Sequence, residues 1–139
     1  MKTQPYDLIG DIHGQHDKLT ALLGKLGYMP HRDGFKHPTG RKVIFLGDYI
    51  DRGPKVREVL LTVRAMVEAG DALAIMGNHE YNAVCYNTPD GKGDWLRGHR
   101  EGNNRQVTAT LRAFAGREVD WENWLAFATL ILSSLFLKS

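Results

Sequence analysis

The chain has one cysteine in 139 residues, Cys85. A single thiol excludes an internal disulfide and is compatible with a reducing compartment. No motif surrounds Cys85, so packing rather than nucleophilic chemistry is expected of it. Charge of one sign is also scarce: 18 basic residues face 16 acidic ones, for a net charge of +2. No long basic run occurs, and Arg41-Lys42 is just a pair, so the electrostatic case for nucleic-acid binding is absent. From Trp124 to Leu137 the chain is apolar, but it falls short of the ~20 residues a transmembrane helix needs. A strand or a core helix is expected there, with a membrane tail as the weaker alternative. Met1 to Pro5 holds no apolar core of a signal peptide, and the cytoplasm is the expected location. Internal repeats and low-complexity linkers are missing too. The length, 42% hydrophobic and 24% charged residues suit one domain over 1–139.

What is present begins with hydrophobic pattern. Tyr6-Asp7-Leu8-Ile9 is a short apolar run ended by Gly10. From Gln15 to Leu26, Leu19, Leu22, Leu23 and Leu26 fall at the i, i+3, i+4, i+7 spacing of an amphipathic helix, and Gly27 supplies the stop. Val43-Ile44-Phe45-Leu46 is a continuous β-prone run before Gly47, as expected for a strand buried on both faces. Pro54 suits the first turn of a second helix. Val56, Val59, Leu60, Val63 and Val67 line its face, and Gly70 ends it. Ala72 to Met76 reads as a third strand. The order β-α-β-α-β predicts a parallel sheet with right-handed crossovers, whose ligands bind beyond the carboxyl ends of the strands.

Each of the three strands runs into a polar motif: Asp11-Ile12-His13, then Gly47-Asp48-Tyr49-Ile50-Asp51-Arg52-Gly53, then Gly77-Asn78-His79-Glu80. Each has a bland explanation when taken alone. Asp-x-His in a loop is usually solvated surface. Asp51-Arg52 is a local ion pair, Asn78 is a helix N-cap, and the glycines are ordinary turn residues. Their coincidence at three successive strand ends is what those explanations do not cover. Carboxylates, an imidazole and an amide oxygen form a donor set for manganese, iron or zinc rather than for a thiolate-selective metal.

The motifs, in this order and spacing, resemble those of the calcineurin-like metallophosphoesterases. The resemblance is closest to the branch that holds serine/threonine protein phosphatases and symmetrical diadenosine tetraphosphate hydrolases. It covers residues 5–87, the motif-bearing half, and leaves 88–139 as a loop and C-terminal helices. It implies a four-layer α/β/β/α sandwich, of which this chain carries the N-terminal β-α-β-α-β part. It also implies two divalent metal ions. Asp11 and His13 would hold the first, Asp48 would bridge both, and Asn78 would bind the second. His79 would be the general acid, Asp51 would orient its ring, and Arg52 would hold phosphate. Glu80 either orders the loop or favours a helix N-terminus.

Departures from the family pattern carry expectations of their own. Ile75 and Met76 stand where the eukaryotic protein phosphatases have arginine, which points to bacterial nucleotide-type or small-phosphoester hydrolases. The family completes its second metal site with two later histidines, whereas this chain has only His99 after His79. His99 lies in a Gly- and charge-rich loop and is expected at the surface or facing substrate. His31 and His37 are expected in a solvated loop. Pro89 to Asp94 reads as a turn-rich loop that borders the cleft. Trp121, Trp124, Leu125 and Ala128 form a helical stripe with Asp120 as N-cap. The ending Ser133-Ser134-Leu135-Phe136-Leu137-Lys138-Ser139 reads as a frameshifted, prematurely stopped or truncated sequence. The expected function is metal-dependent hydrolysis of phosphomonoesters or nucleoside polyphosphates, with a phosphorylated small molecule, nucleotide or phosphoprotein as substrate. The alternatives are a weakly active or inactive metal-binding remnant and a non-catalytic adaptor for phosphorylated ligands. A missing second sheet would leave apolar surface exposed and promote oligomers.

Overall fold

A computed structural model describes the backbone of residues 3–137 and the side chains of residues 3–130. Three parallel strands form the sheet: β1 (Tyr6–Ile9), β4 (Lys42–Phe45) and β5 (Ala72–Ala74), in the order β1-β4-β5. Between β1 and β4 lie helix α1 (His16–Lys25) and a small antiparallel hairpin, β2 (Met29–His31) with β3 (Gly34–Lys36). Helix α2 (Val56–Glu68) connects β4 to β5. Helices α3 (Asn78–Tyr86), α4 (Glu101–Ala113) and α5 (Glu118–Leu137) follow.

Both crossover helices end in the same way. Gly27 and Gly70 take φ of 94° and 80°. They let the N–H groups of Tyr28 and Asp71 reach back to the carbonyls of Leu23 and Met66. This satisfies carbonyls that a helix end would otherwise orphan. The buried stripe of α2 is Val56, Val59, Leu60, Thr62, Val63 and Met66, close to the predicted set. Pro54 sits just outside the helix, with Lys55 as N-cap.

The strand order explains which side of the sheet is covered. Two right-handed crossovers that step in the same direction put both connecting helices on one face. Paired residues share a face, so the rows Asp7-Val43-Ala72 and Ile9-Phe45-Ala74 look one way. Ile9, Val43, Phe45 and Ala72 from these rows are buried. The row Leu8-Ile44-Leu73 looks the other way, and Leu8 and Leu73 are 65% and 48% exposed. The strand at Val43 is therefore buried on one face only, not on both as its unbroken apolar run suggested.

Other expectations also change. His31 ends strand β2 of a hairpin and is exposed as expected, while His37 lies in the loop just past β3. Arg32, at the hairpin turn, has φ of 54°. His37 is not a solvated group. Its Nδ1 accepts the backbone N–H of Thr39, so Nε2 carries the proton and donates to the carbonyl of Leu26 at the end of α1. Asp120 lies inside the first turn of α5 rather than at its cap, because that helix starts at Glu118. Trp124 and Ala128 are buried as the stripe predicted, and the apolar tail continues as helix to Leu137. Lys138 and Ser139 lie outside the described residues. Among the described residues no helix is long and apolar enough to cross a membrane.

Candidate metal centre

The carboxyl ends of β1, β4 and β5 deliver the three motifs to one place. The loops are held together by backbone. The N–H groups of His13 and Gly14 donate to the carbonyls of Asp48 and Tyr49 at 2.9 and 2.8 Å. Two glycine contacts make this approach possible. A methyl group on Gly53 would overlap the carbonyl of His13 and sit 2.7 Å from the carbonyl carbon of Gly14. One on Gly77 would overlap the carboxylate and N–H of Asp48. Glycine is needed here because backbone meets backbone.

Glu80 fixes the middle loop. It is 1% exposed. Its carboxylate accepts the N–H groups of Asp48 (2.6 Å), Tyr49 (2.9 Å), Ile50 (3.3 Å) and Gly77 (3.0 Å). Burial pushes its carboxyl above the ordinary carboxylate range, and the four N–H groups pull it back. Both roles expected of Glu80 are seen: it orders the loop, and in the first turn of α3 it accepts the N–H of the N-cap Gly77. Tyr49 adds a second tie. Its hydroxyl donates to the carbonyls of Phe45 and Ile75, and burial raises its pKa far above that of a free phenol.

Within this frame, ligand atoms of Asp11, His13 and Asp48 all lie within 4.8 Å of one another. His13 Nδ1 is 2.9 Å from the carbonyl of Ile50. A carbonyl only accepts, so Nδ1 carries the proton and Nε2 keeps its lone pair, the form a metal requires. On the other side of Asp48, the side-chain amide of Asn78 sits 2.9 and 3.1 Å from the two carboxylate oxygens. Its NH2 can donate to them, and its oxygen can turn in as a ligand to a cation. Asn78 is the first residue of α3, and Gly77 rather than Asn78 is the N-cap. The donor set thus fits divalent cations: two carboxylates, an imidazole lone pair and an amide oxygen. Among the described residues this is the only cluster of three such carboxylate and imidazole groups.

His79 lies beside the cluster, its ring 4.6 Å from that of His13 in an edge-on contact. Its Nδ1 is 2.8 Å from Asp51 Oδ2, and both groups are buried. The carboxylate fixes the proton on Nδ1 and leaves Nε2 directed elsewhere. Asp51 does not pair with Arg52, which is exposed. The other Asp51 oxygen accepts the hydroxyl of Thr110 at 2.6 Å, and the Asp51 N–H donates to the same hydroxyl at 2.9 Å. Thr110 comes from α4 and is 1% exposed. Sequence reasoning missed it. Its only signal was position: Val107, Thr110 and Phe114 continue one buried helical stripe.

The remaining predicted residues lie apart. His99 is stacked between Tyr86 and Trp95, at ring distances of 3.8 and 4.6 Å, and bonds the Tyr86 carbonyl. It pins the loop ahead of α4. The turn at Asp90 holds itself, with Oδ1 accepting the N–H groups of Lys92 and Asp94. Cys85 is half-buried and unpaired.

The chain matches the model of the calcineurin-like phosphoesterase family over residues 5–138. The asymmetrical bis(5'-nucleosyl)-tetraphosphatases PrpE of Halalkalibacterium halodurans and Bacillus subtilis are each 46% identical to it over 74 residues. That segment is 53% of this chain and 30% of either relative. The sequence resemblance had named symmetrical hydrolases, whereas these relatives carry the asymmetrical name. A cold-active protein-tyrosine phosphatase of a psychrophilic Shewanella species is 24% identical, with a TM-score of 0.48 over 90% of this chain and 39% of that one. A further structure of a cold-active protein tyrosine phosphatase is 26% identical, with a TM-score of 0.45 over 82% of this chain and 33% of that one.

Proposed function

The chain belongs to the calcineurin-like phosphoesterase family, and on that premise we propose that it hydrolyses a phosphoanhydride or phosphoester bond, with nucleoside polyphosphates as the favoured substrate class. The observation that carries this reading is the Asp11-His13-Asp48 cluster set directly beside the buried His79-Asp51 pair. The names of the PrpE relatives support the substrate class. Phosphomonoesters and phosphoproteins are the other candidates. The single cysteine accords with a cytoplasmic location.

The residues divide the work. Asp11, His13 and Asp48 would hold one divalent ion, and Asp48 with Asn78 would hold a second, as manganese, iron or zinc. When bound, such ions supply an activated water and charge stabilisation for the phosphate. Arg52 binds phosphate oxygens through its forked guanidinium. His79 protonates the leaving oxygen from Nε2, while Asp51 holds the ring through Nδ1 and stabilises its protonated form.

The test is a metal count joined to turnover. With manganese, the chain is expected to bind metal and release phosphate from a nucleoside tetraphosphate. Asp48→Asn is expected to lower turnover by at least roughly 10²-fold, the scale of losing one charge-stabilising group. Turnover that survives Asp48→Asn unchanged would sink the mechanism. A second reading rests on the second position, for which Asp48 and Asn78 are the two ligands placed together. On that reading the chain holds one ion and turns over weakly or binds phosphorylated ligands without turnover. One ion per chain with no phosphate released would favour it.

A further inference from the structure

We propose that the groove beside Arg52 binds an oligophosphate chain, taking the phosphates of a polyphosphate that lie beyond the one at the metal centre. This site deepens the hydrolase reading above and rests on it for its ligand. The groove has a volume of about 310 Å³ and is lined by Arg52, Arg105, Gln106, Thr108, Ala109 and Arg112. That volume is near the lower end of small-ligand sites, about 300 Å³.

The geometry comes from α4. Residues 105, 108, 109 and 112 share one face of that helix by their spacing, while Thr110 reaches inward to Asp51. Arg52 follows Asp51 in the chain and closes the groove from the other side. Arg52, in the groove, thus follows in the chain the Asp51 that bonds His79 beside the metal cluster.

The electrostatics point to an anion. None of the six lining residues is acidic. Among the described residues, Arg41, Arg57 and Arg64 outside the groove each face an aspartate or glutamate, whereas Arg32, Arg97, Arg100 and Arg117 have no ion pair. Arg52 and Arg112 have no ion pair among the described residues, and Arg105 meets only the solvated Glu101 at 3.5 Å. Gln106 turns its oxygen to Arg97, so its NH2 remains as a further donor. Three guanidinium groups along one groove repel one another until an anion joins them. Arg105 and Arg112 are seven residues apart, about 10 Å along the helix axis. That spread suits a row of phosphates better than a single one. A nucleic-acid strand fits less well, since the chain as a whole carries only +2.

The test uses the full chain without metal, so that binding is read apart from turnover. Titration calorimetry with sodium tripolyphosphate is expected to show affinity at least roughly tenfold above that for orthophosphate, the worth of about one added charge-assisted contact. The double variant Arg105→Gln, Arg112→Gln should lose that advantage while Arg105→Lys, Arg112→Lys keeps most of it. Both pairs are on the surface, and circular dichroism checks that the fold is retained. Equal affinity for the two phosphates, or an unchanged affinity in the glutamine variant, overturns the proposal. So does a single-stranded oligonucleotide that outcompetes tripolyphosphate and is lost in the same variant. Tripolyphosphate binding without hydrolysis in the metal-loaded chain would instead count against the hydrolase reading and leave the groove assignment standing.

Discussion

Asp51 is 1% exposed, and each of its side-chain oxygens has one partner, His79 on one side and Thr110 on the other. A buried carboxylate held at both ends cannot swing away from the imidazole it orients. Thr110→Val keeps the shape but removes both bonds to Asp51, and leaving buried polar groups unpaired costs about 1–3 kcal/mol each. The variant is therefore expected to unfold earlier in denaturant and to lose the downfield Nδ1–H resonance of His79, whereas Thr110→Ser keeps both properties close to those of the parent. A Val variant with an unshifted His79 resonance would show that Thr110 only fills space. His79→Asn is expected to slow poor leaving groups more than good ones, by roughly the 10²–10⁴ of general-acid catalysis, with metal content unchanged. A uniform loss across leaving groups would place His79 among the ligands instead. The motif residues were legible because their types and spacing announce chemistry. Thr110 was not, because threonine on a helix is common and only the fold brings α4 across to Asp51, 59 residues away.

The elements hold the site by contact between backbones as much as between side chains. Gly53 packs on the backbone of His13 and Gly14, where no neighbouring atom is free to move aside. Gly53→Ala is expected to cost about 1–3 kcal/mol, the usual scale of overpacking, and to weaken metal binding by parting the first two loops. Full metal affinity in that variant would show that the loops have slack. At the far end of β1, Asp7 ties the strand to Arg41 and Tyr28. The Arg41 guanidinium holds its carboxyl below the usual aspartate range, against a burial effect in the other direction. A group whose pKa falls on folding stabilises the protein above its ordinary pKa and stops doing so as pH drops through the folded value. Asp7→Asn should thus lower stability at neutral pH and flatten its decline below about pH 4, where a free aspartate takes up its proton. Equal acid limbs in the two proteins would refute the coupling. Helices and parallel strands were readable here because apolar spacing and glycine stops agree. The β2-β3 hairpin was not, since three-residue strands carry too little pattern, and its turn uses Arg32 rather than glycine at positive φ.

For the molecule as a whole, the row Leu8-Ile44-Leu73 looks away from the crossover helices, and Leu8 and Leu73 are exposed. Leu46 at 42% and Tyr6 at 38% exposure extend this apolar surface, and contiguous apolar area on a soluble domain marks a place where something docks. Light scattering is expected to show association that grows with concentration, and Leu8→Lys with Leu73→Lys should reduce it. A monodisperse parent at high concentration would show that the row is tolerated bare. The sequence concealed this sidedness, because an unbroken apolar run looks the same whether one face or two are covered. The backbone of the motif loops has a consequence of another kind. Asp11, His13, Asp48, Asp51 and Arg52 all sit at positive φ, a region that costs side-chain-bearing residues about 1–2 kcal/mol each. Set against a typical folding stability of about 5–15 kcal/mol, that is a spring kept wound by the rest of the fold. A bound cation would act as its latch, fastening the loops as well as serving the chemistry. Chelation would then be felt first as heat sensitivity.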